Sequence, residues 1–259
     1  MGVLDLKVVI LGGASGVGAG LAESLHARGA DILVADRETI AETRWKATAV
    51  DLLDPLGLES LAKSVAREFG AVDWVVCTLG GIDAKPLLTI GSKRWRWMLD
   101  ANLVAVADSV AALARRVRPG GKIILAGSGS GFVGPEAGTD LGAYSVSKHA
   151  LLGYFRALRE ELRPRGVDAV LMLPSGVEGR LAQSSAGVRH ESGVDRVAEI
   201  RGAQPAARTL VNARDAADAM IAQILEGRTI VSNDPEKMRR LLRAGYEELD
   251  AGFRRPPAA

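Results

Sequence analysis

Residues 6 to 28 restrict the fold of this chain more than any other stretch. Leu6-Lys7-Val8-Val9-Ile10-Leu11 is a short apolar run ended by glycine, the form of a strand buried in a parallel sheet. Gly12-Gly13-Ala14-Ser15-Gly16-Val17-Gly18 follows, and then a helical pattern from Ala19 to about Arg28. A strand followed by a helix calls for a crossover to a parallel neighbour, so the chain starts as a βαβ unit. Glycines let the backbone approach a pyrophosphate, and a helix N-terminus presents free N–H groups and partial positive charge to it. Strand, glycine turn and helix in this order are the context of a dinucleotide site. The spacing is G-x-x-x-G-x-G over Gly12, Gly16 and Gly18, not the G-x-G-x-x-G of the general fingerprint.

The alternation continues along the chain. Asp31-Ile32-Leu33-Val34-Ala35 reads as the second strand, closed by Asp36. A carboxylate about 20 residues beyond the glycines can accept hydrogen bonds from an adenosine ribose diol, and it repels a 2′-phosphate. This favours NAD; Arg37 beside it keeps NADP open, since a guanidinium can accommodate that phosphate. The interval from Asp36 to Asp51 is too short for a full crossover helix plus a strand. At most a helical turn near 39–43 and a strand near 47–50 are expected, with Asp51 placed to bond an adenine amino group. Pro55 to Phe69 reads as a helix with Pro55 in its first turn. Val72–Val76 is the fourth strand and leads into Cys77-Thr78-Leu79-Gly80-Gly81, where the glycines let a cofactor lie against the backbone.

An amphipathic helix is expected from about Ser92 to Arg116, with Trp95, Met98, Leu99, Leu103 and Val106 recurring at three and four. Asn102 sits inside it among apolar neighbours, where an amide needs a partner. Pro119-Gly120-Gly121 is expected to end this segment before a fifth strand, Lys122–Ala126. The loop Gly127-Ser128-Gly129-Ser130-Gly131 follows at that strand's carboxyl end, where ligands bind in open α/β sheets. The next helix, about Leu141 to Arg163, carries Tyr144-Ser145-Val146-Ser147-Lys148. A phenol and an ammonium four residues apart share one helix face. The ammonium favours the phenolate and so lowers the tyrosine pKa from its free value of about 10, which suits a general acid/base. A sixth strand (Val167–Leu173), a substrate lid over about 178–213, a helix (Asp215–Leu225), a last strand (Thr229–Val231) and a helix over about 235–250 complete the reading, with a loose tail from Gly252.

Composition sets the bounds. The 259 residues are 47% hydrophobic and 25% charged, and Lys+Arg 33 against Asp+Glu 31 leaves +2, too balanced to point to nucleic acid. Cys77 is the single cysteine, so no intrachain disulfide can form; it reads as a buried small hydrophobe in a reducing compartment. His26, His149 and His190 have no ligand spacing, and no metal site is expected. The N-terminus lacks a basic n-region, Leu6 argues against myristoylation of Gly2, and no apolar run reaches the ~18 residues of a membrane span. A cytoplasmic protein is expected. No internal repeat, linker or composition break divides the chain, which reads as one domain over 1–259.

Taken together, Gly12-x-x-x-Gly16-x-Gly18, Asp36, Asp51, Asn102, Ser128, Tyr144-x-x-x-Lys148 and Pro174 resemble the short-chain dehydrogenase/reductase family over about residues 6–232. The resemblance implies an α/β fold: a doubly wound (Rossmann) parallel sheet of about seven strands with helices on both faces. It also implies nicotinamide-dependent interconversion of a secondary alcohol and a ketone, a small-molecule substrate, and assembly as a homodimer or homotetramer. On this likeness Tyr144 is the acid/base, Ser128 hydrogen-bonds the substrate oxygen, Lys148 bonds the nicotinamide ribose and lowers the Tyr144 pKa, and Asn102 holds a water of the proton path. Gly12, Ser15, Gly16, Val17, Gly18, Asp36, Asp51, Leu52, Leu79, Gly80, Pro174 and Val177 would line the cofactor along with Tyr144 and Lys148.

The chain departs from the family pattern in several places. Leu11 replaces a threonine before the first glycine, and Cys77-Thr78-Leu79-Gly80 replaces Asn-Asn-Ala-Gly. The loop from Ser128 to Tyr144 is longer than the norm, which makes Ser130 a rival for the serine role. Pro174-Ser175 stands for Pro-Gly, and Gly179 for the threonine near the carboxamide. A nicotinamide-binding scaffold without catalysis, and a lyase-type relative without nicotinamide, are the alternative readings.

Overall fold

Residue alternation in the strands decides the layering. In β1 (Lys7–Leu11) Val8, Val9, Ile10 and Leu11 are all buried, Val8 and Ile10 in one apolar cluster and Val9 and Leu11 in another. A strand buried on both faces needs helices above and below, and the chain supplies them in order. The computed structural model describes residues 5–38, 44–135, 139–188 and 210–253.

After β1 come α1 (Gly16–Ala27), β2 (Asp31–Asp36), β3 (Lys46–Ala49), α2 (Pro55–Phe69) and β4 (Val72–Cys77). Next are α3 (Ser92–Leu99), a π-helical turn (Asp100–Val104), α4 (Ala105–Leu113) and β5 (Val117–Ala126). Then follow α5 (Gly142–Leu162), β6 (Asp168–Met172), α6 (Leu181–Val188), α7 (Ala213–Leu225), β7 (Ile230–Val231) and α8 (Pro235–Gly252). The strands form one seven-stranded sheet in the order β3-β2-β1-β4-β5-β6-β7, with every pairing parallel. The chain is a single doubly wound domain of Rossmann type. Leu21 and Leu25 of α1 pack with Met220 and Ile221 of α7 on one face. Leu61 of α2, Val106 and Val110 of α4, and Leu151 and Phe155 of α5 pack on the other.

Three features differ from the sequence expectation. The first helix begins at Gly16, inside the glycine turn, because Ser15 already has the extended backbone of an N-cap. Pro119-Gly120-Gly121 does not precede the fifth strand but lies within β5. The β4–β5 register shifts there, from Val72 opposite Val117 to Trp74 opposite Lys122, and such an irregularity tolerates a proline without an N–H. The helical stretch Ser92–Arg116 is, by length and composition, long and apolar enough to cross a membrane, contrary to the expectation that no run reaches that length. Here Met98, Val106, Val110 and Leu113 are buried in the domain instead. The expected turn at 39–43, His190 with the lid over 189–209, and the tail beyond 253 lie outside the described residues.

Candidate active site

Strand order reverses between β1 and β4, and a crevice opens at the carboxyl ends of the strands around that point. It is a cleft of about 640 Å³, and every site residue proposed from the sequence lines it. At its floor the glycine turn leaves β1. Gly12 has φ +86°, and the Gly12 N–H donates to the Ala35 carbonyl of β2. A Cβ at Gly18 would lie 2.3 Å from the Gly12 carbonyl oxygen, so α1 can start this close to the turn only with glycine there. The backbone N–H groups at the start of α1 have no intrahelical acceptor, the arrangement that helix N-termini offer to an anion.

Asp36, at the end of β2, accepts the Ala14 N–H on Oδ2 at 2.8 Å and the Glu38 N–H on Oδ1 at 3.0 Å. These bonds hold a carboxylate at the cleft edge beside the glycine turn. Asp51 likewise faces the cleft, with Oδ1 accepting the Leu53 N–H at 3.0 Å.

The other half of the cleft is built from α5 and the π-helical turn. Asn102, fully buried, accepts the Gly81 N–H at 2.8 Å and donates to the Gly81 carbonyl at 2.9 Å. Its amide nitrogen also lies 2.9 Å from the Ser147 hydroxyl. The π turn carries the amide across from its helix to the β4 loop, a distortion that helices reserve largely for functional positions. Gly80 completes the fit, since a Cβ there would stand 2.6 Å from Asn102 Oδ1.

Tyr144 and Lys148 lie one turn apart on α5, as their spacing predicts, with Lys148 Nζ 5.7 Å from the centre of the Tyr144 ring. Lys148 is only 5% exposed and donates to the Ala126 carbonyl at the end of β5 at 3.1 Å. Burial pushes its pKa down from 10.5 to about 8. Ser128 follows β5 and lines the same cleft; its hydroxyl oxygen accepts the Ser130 N–H at 3.2 Å. Ser130, its rival, is not among the cleft-lining residues, and its carbonyl accepts from Ser145 Oγ at 2.9 Å.

This geometry can be set beside known proteins. Residues 7–188 match the family model of the short chain dehydrogenases. The chain is similar to the 3-oxoacyl-[acyl-carrier-protein] reductase of Escherichia coli, 28% identical over 183 residues that cover 66% of this chain and 74% of the relative. It is also similar to the 1-deoxy-11-beta-hydroxypentalenate dehydrogenase of Streptomyces exfoliatus, 32% identical over 204 residues, 71% of this chain and 72% of the relative. A short-chain dehydrogenase/reductase from Burkholderia phymatum, solved in complex with NAD, superposes with a TM-score of 0.83 at 22% identity over 100% of this chain and 99% of that one. The chain belongs to the short-chain dehydrogenase family.

Where this short-chain dehydrogenase departs from the family pattern, the structure shows what stands in. Thr78, in the segment that lacks the family asparagines, turns its hydroxyl toward the Leu11 and Gly12 carbonyls at 2.9 and 2.8 Å. It thereby ties β4 to the glycine turn that Leu11 cannot hold. Gly179, in place of the threonine, packs so closely on Gly16 that a Cβ would lie 2.8 Å from the Gly16 Cα. The absence of a side chain lets the segment after β6 lie directly on the glycine turn. From there Arg180 pairs with Glu38 at 2.6 Å and donates to the Ala14 carbonyl at 3.3 Å, while Arg37 donates to the Ser184 carbonyl at 3.3 Å. The segment after β6 is thus tied to the glycine turn and to the loop after β2.

Sequence reasoning missed two features. Asp83 and Arg94, both buried, form a bidentate ion pair, with Arg94 Nε 2.6 Å from Asp83 Oδ2. Arg94 also donates to the Ala84 carbonyl at 3.2 Å, pinning the loop after Gly81 to α3. Each residue alone reads as a surface charge, and no spacing rule connects a loop aspartate to a helix arginine. The second is Ser185, whose hydroxyl accepts the Ile82 N–H at 2.9 Å and joins α6 to that loop. Cys77 is buried, which pushes its thiol up to about 12 and keeps it unreactive at neutral pH. Among the described residues no group of three His, Cys, Asp or Glu side chains could hold a metal ion.

Proposed function

We propose that this short-chain dehydrogenase interconverts a secondary alcohol and a ketone with NAD(H), using Tyr144 as the acid/base. The observation that carries the reading is one cleft that contains the glycine turn, the Asp36 carboxylate and the group Ser128, Tyr144, Lys148 and Asn102. The turn Gly12–Gly18, packed so tightly that a Cβ at Gly18 would lie 2.3 Å from the Gly12 carbonyl oxygen, supports a pyrophosphate site at the start of α1. A cleft of about 640 Å³ lies within the range for ligand sites.

Held by the turn Gly12–Gly18, Asp36 and Lys148, a nicotinamide cofactor would supply the hydride chemistry of the reaction. The protein handles the proton and the charge. In reduction the Tyr144 hydroxyl gives its proton to the substrate oxygen as the carbonyl becomes an alcohol. The Ser128 hydroxyl donates a hydrogen bond to the same oxygen and stabilises the charge that develops there. Lys148, protonated below about pH 8, faces the phenolate left behind and favours it electrostatically. Asn102 fixes Gly81 by two bonds and so sets the backbone against which a nicotinamide ring would rest. In oxidation the same steps reverse, with the Tyr144 phenolate taking the alcohol proton.

Two further details refine the reading. Ile82, Ala84 and Leu141 pack behind Tyr144 and Ala182, and the latter two line the cleft beside Leu181 and Trp97, which suits an apolar flank on the substrate. A 2′-phosphate would meet Asp36 and Glu38, while Arg180 is paired with Glu38 and Arg37 donates to Ser184. This supports NAD over NADP. The test is a panel of ketones assayed with NADH and with NADPH at the nicotinamide absorbance. Turnover is expected with NADH and lost in Tyr144→Phe. Full activity in that variant overturns the mechanism, and binding without turnover across the panel favours a scaffold role.

A further inference from the structure

The helix α8 buries one side on its own domain and leaves an ordered apolar line outside. Met238 and Leu241 pack on Gly129 of the Ser128 loop. Gly245 lies so close to the same loop that a Cβ would stand 1.9 Å from the Phe132 carbonyl oxygen. These contacts seat the helix firmly by that side. Beside them run Leu242, Tyr246, Leu249 and Phe253, which are 49%, 72%, 71% and 92% exposed. Steps of four, three and four keep them on one line, about 16 Å long at 1.5 Å per residue. Scattered exposed apolar side chains are ordinary, but three aligned on one helix and a fourth at its C-cap mark a contact surface.

A line of charge runs alongside at steps of four, four and three: Arg239, Arg243, Glu247 and Asp250. The first two are positive and the last two negative. Arg239 pairs with Glu236 at 3.0 Å, both well exposed, so that bond exchanges at little cost.

We propose that this face is where two copies of the chain pair, α8 against α8, antiparallel about a twofold axis near Gly245. The face is self-complementary in that arrangement and in no parallel one. Leu242 of one copy lies beside the partner subunit's Leu249, and Tyr246 packs near the axis. Arg243 faces the partner subunit's Glu247, and the twofold repeats that pair. A parallel twofold pairing would put the two charge lines on opposite sides of the seam, where neither meets the other. A lipid surface fits less well, because Leu249 and Phe253 sit in the half of the helix that carries Glu247, Glu248 and Asp250. The contact joins two Ser128 loops through one helix pair, since α8 touches that loop with its other side.

The experiment is sedimentation equilibrium of the full chain over a micromolar concentration series. The wild type is expected as an even multiple of the 27.2 kDa chain, and Tyr246→Glu/Leu249→Glu at half the wild-type mass. Arg243→Glu and Glu247→Arg, each alone, are also expected at half mass, because each sets like charges across the axis. Mixing these two variants restores opposite charges on both sides and is expected to recover the wild-type mass. This arm stands even where the double glutamate variant fails to fold. A monomeric wild type, an unchanged mass in the variants, or no recovery on mixing overturns the proposal. So does a monomer that cosediments with phosphatidylserine vesicles, which would assign the face to membrane.

Discussion

At the scale of single residues the site rests on Lys148, an ammonium held in a place that disfavours its charge. Burial lowers its pKa from 10.5 to about 8. Between those values the unfolded chain holds a proton that the folded site releases, so this group makes stability rise with pH across that window. Below about pH 8 the folded protein carries the whole penalty, about 3 kcal/mol. Lys148→Met is therefore expected to raise the melting temperature of the ligand-free protein at pH 7 while abolishing turnover. The gain should shrink from pH 8 upward and vanish near 10.5, and thermal melts across that range check it. A gain independent of pH would assign it to packing instead. Asp36 allows a second prediction. Asp36→Ser removes the carboxylate that opposes a 2′-phosphate and leaves Arg37 in place. NADPH binding, followed by fluorescence titration, is expected to strengthen at least tenfold relative to NADH, about 1.4 kcal/mol.

At the scale of elements, period and composition carried far. Pro55 in a first turn and an apolar stripe through Leu58, Leu61, Val65 and Phe69 place α2 at its observed bounds, Pro55–Phe69. The three and four spacing over Ser92–Arg116 likewise shows a helix, but not the π turn at Asp100–Val104 inside it. Within that turn Asn102 satisfies its amide on Gly81, a partner on another element that the helical period does not reveal. The bulge in β5 is hidden for the same reason, since it is a relation between two strands. The Asp83–Arg94 pair is the energetic counterpart of these cross-element contacts. Arg94→Met would leave a fully buried carboxylate without its guanidinium, and removal of one partner of a buried pair typically costs about 3–5 kcal/mol. A fall in stability of that size is expected by urea unfolding. A change below about 1 kcal/mol, the range of surface pairs, would show that the pair is not isolated from water.

At the scale of the whole molecule, the cleft draws on segments scattered from Gly12 to Leu210. A cofactor that spans β1, β2, β4, β5 and the segment after β6 binds only the folded state and so stabilises all of them together. At a hundredfold excess over its dissociation constant, NADH is expected to add about 2.7 kcal/mol, a rise in melting temperature of several degrees. Differential scanning fluorimetry with NADH and NADPH reads it directly. No shift with either cofactor would overturn the nicotinamide reading. A shift that persists in Tyr144→Phe separates binding from chemistry.

Much of this protein is legible in its residues taken in order. Apolar runs of strand length, glycines at a turn and the four-residue step from Tyr144 to Lys148 are local relations, and local relations survive in a one-dimensional record. They determine the α/β alternation, the glycine turn after β1 and the placing of Tyr144 and Lys148 on one helix face. Tertiary structure decided the rest, because it depends on which distant groups meet. It brought Thr78 to the Leu11 and Gly12 carbonyls and Arg180 to Glu38. It placed Ser128, and not Ser130, beside Tyr144 and Lys148 on the cleft wall. It also turned Met238 and Gly245 inward and left Leu242, Tyr246, Leu249 and Phe253 outside. Helical period alone shows an apolar line on α8, but only the packed domain determines which side of that helix remains uncovered.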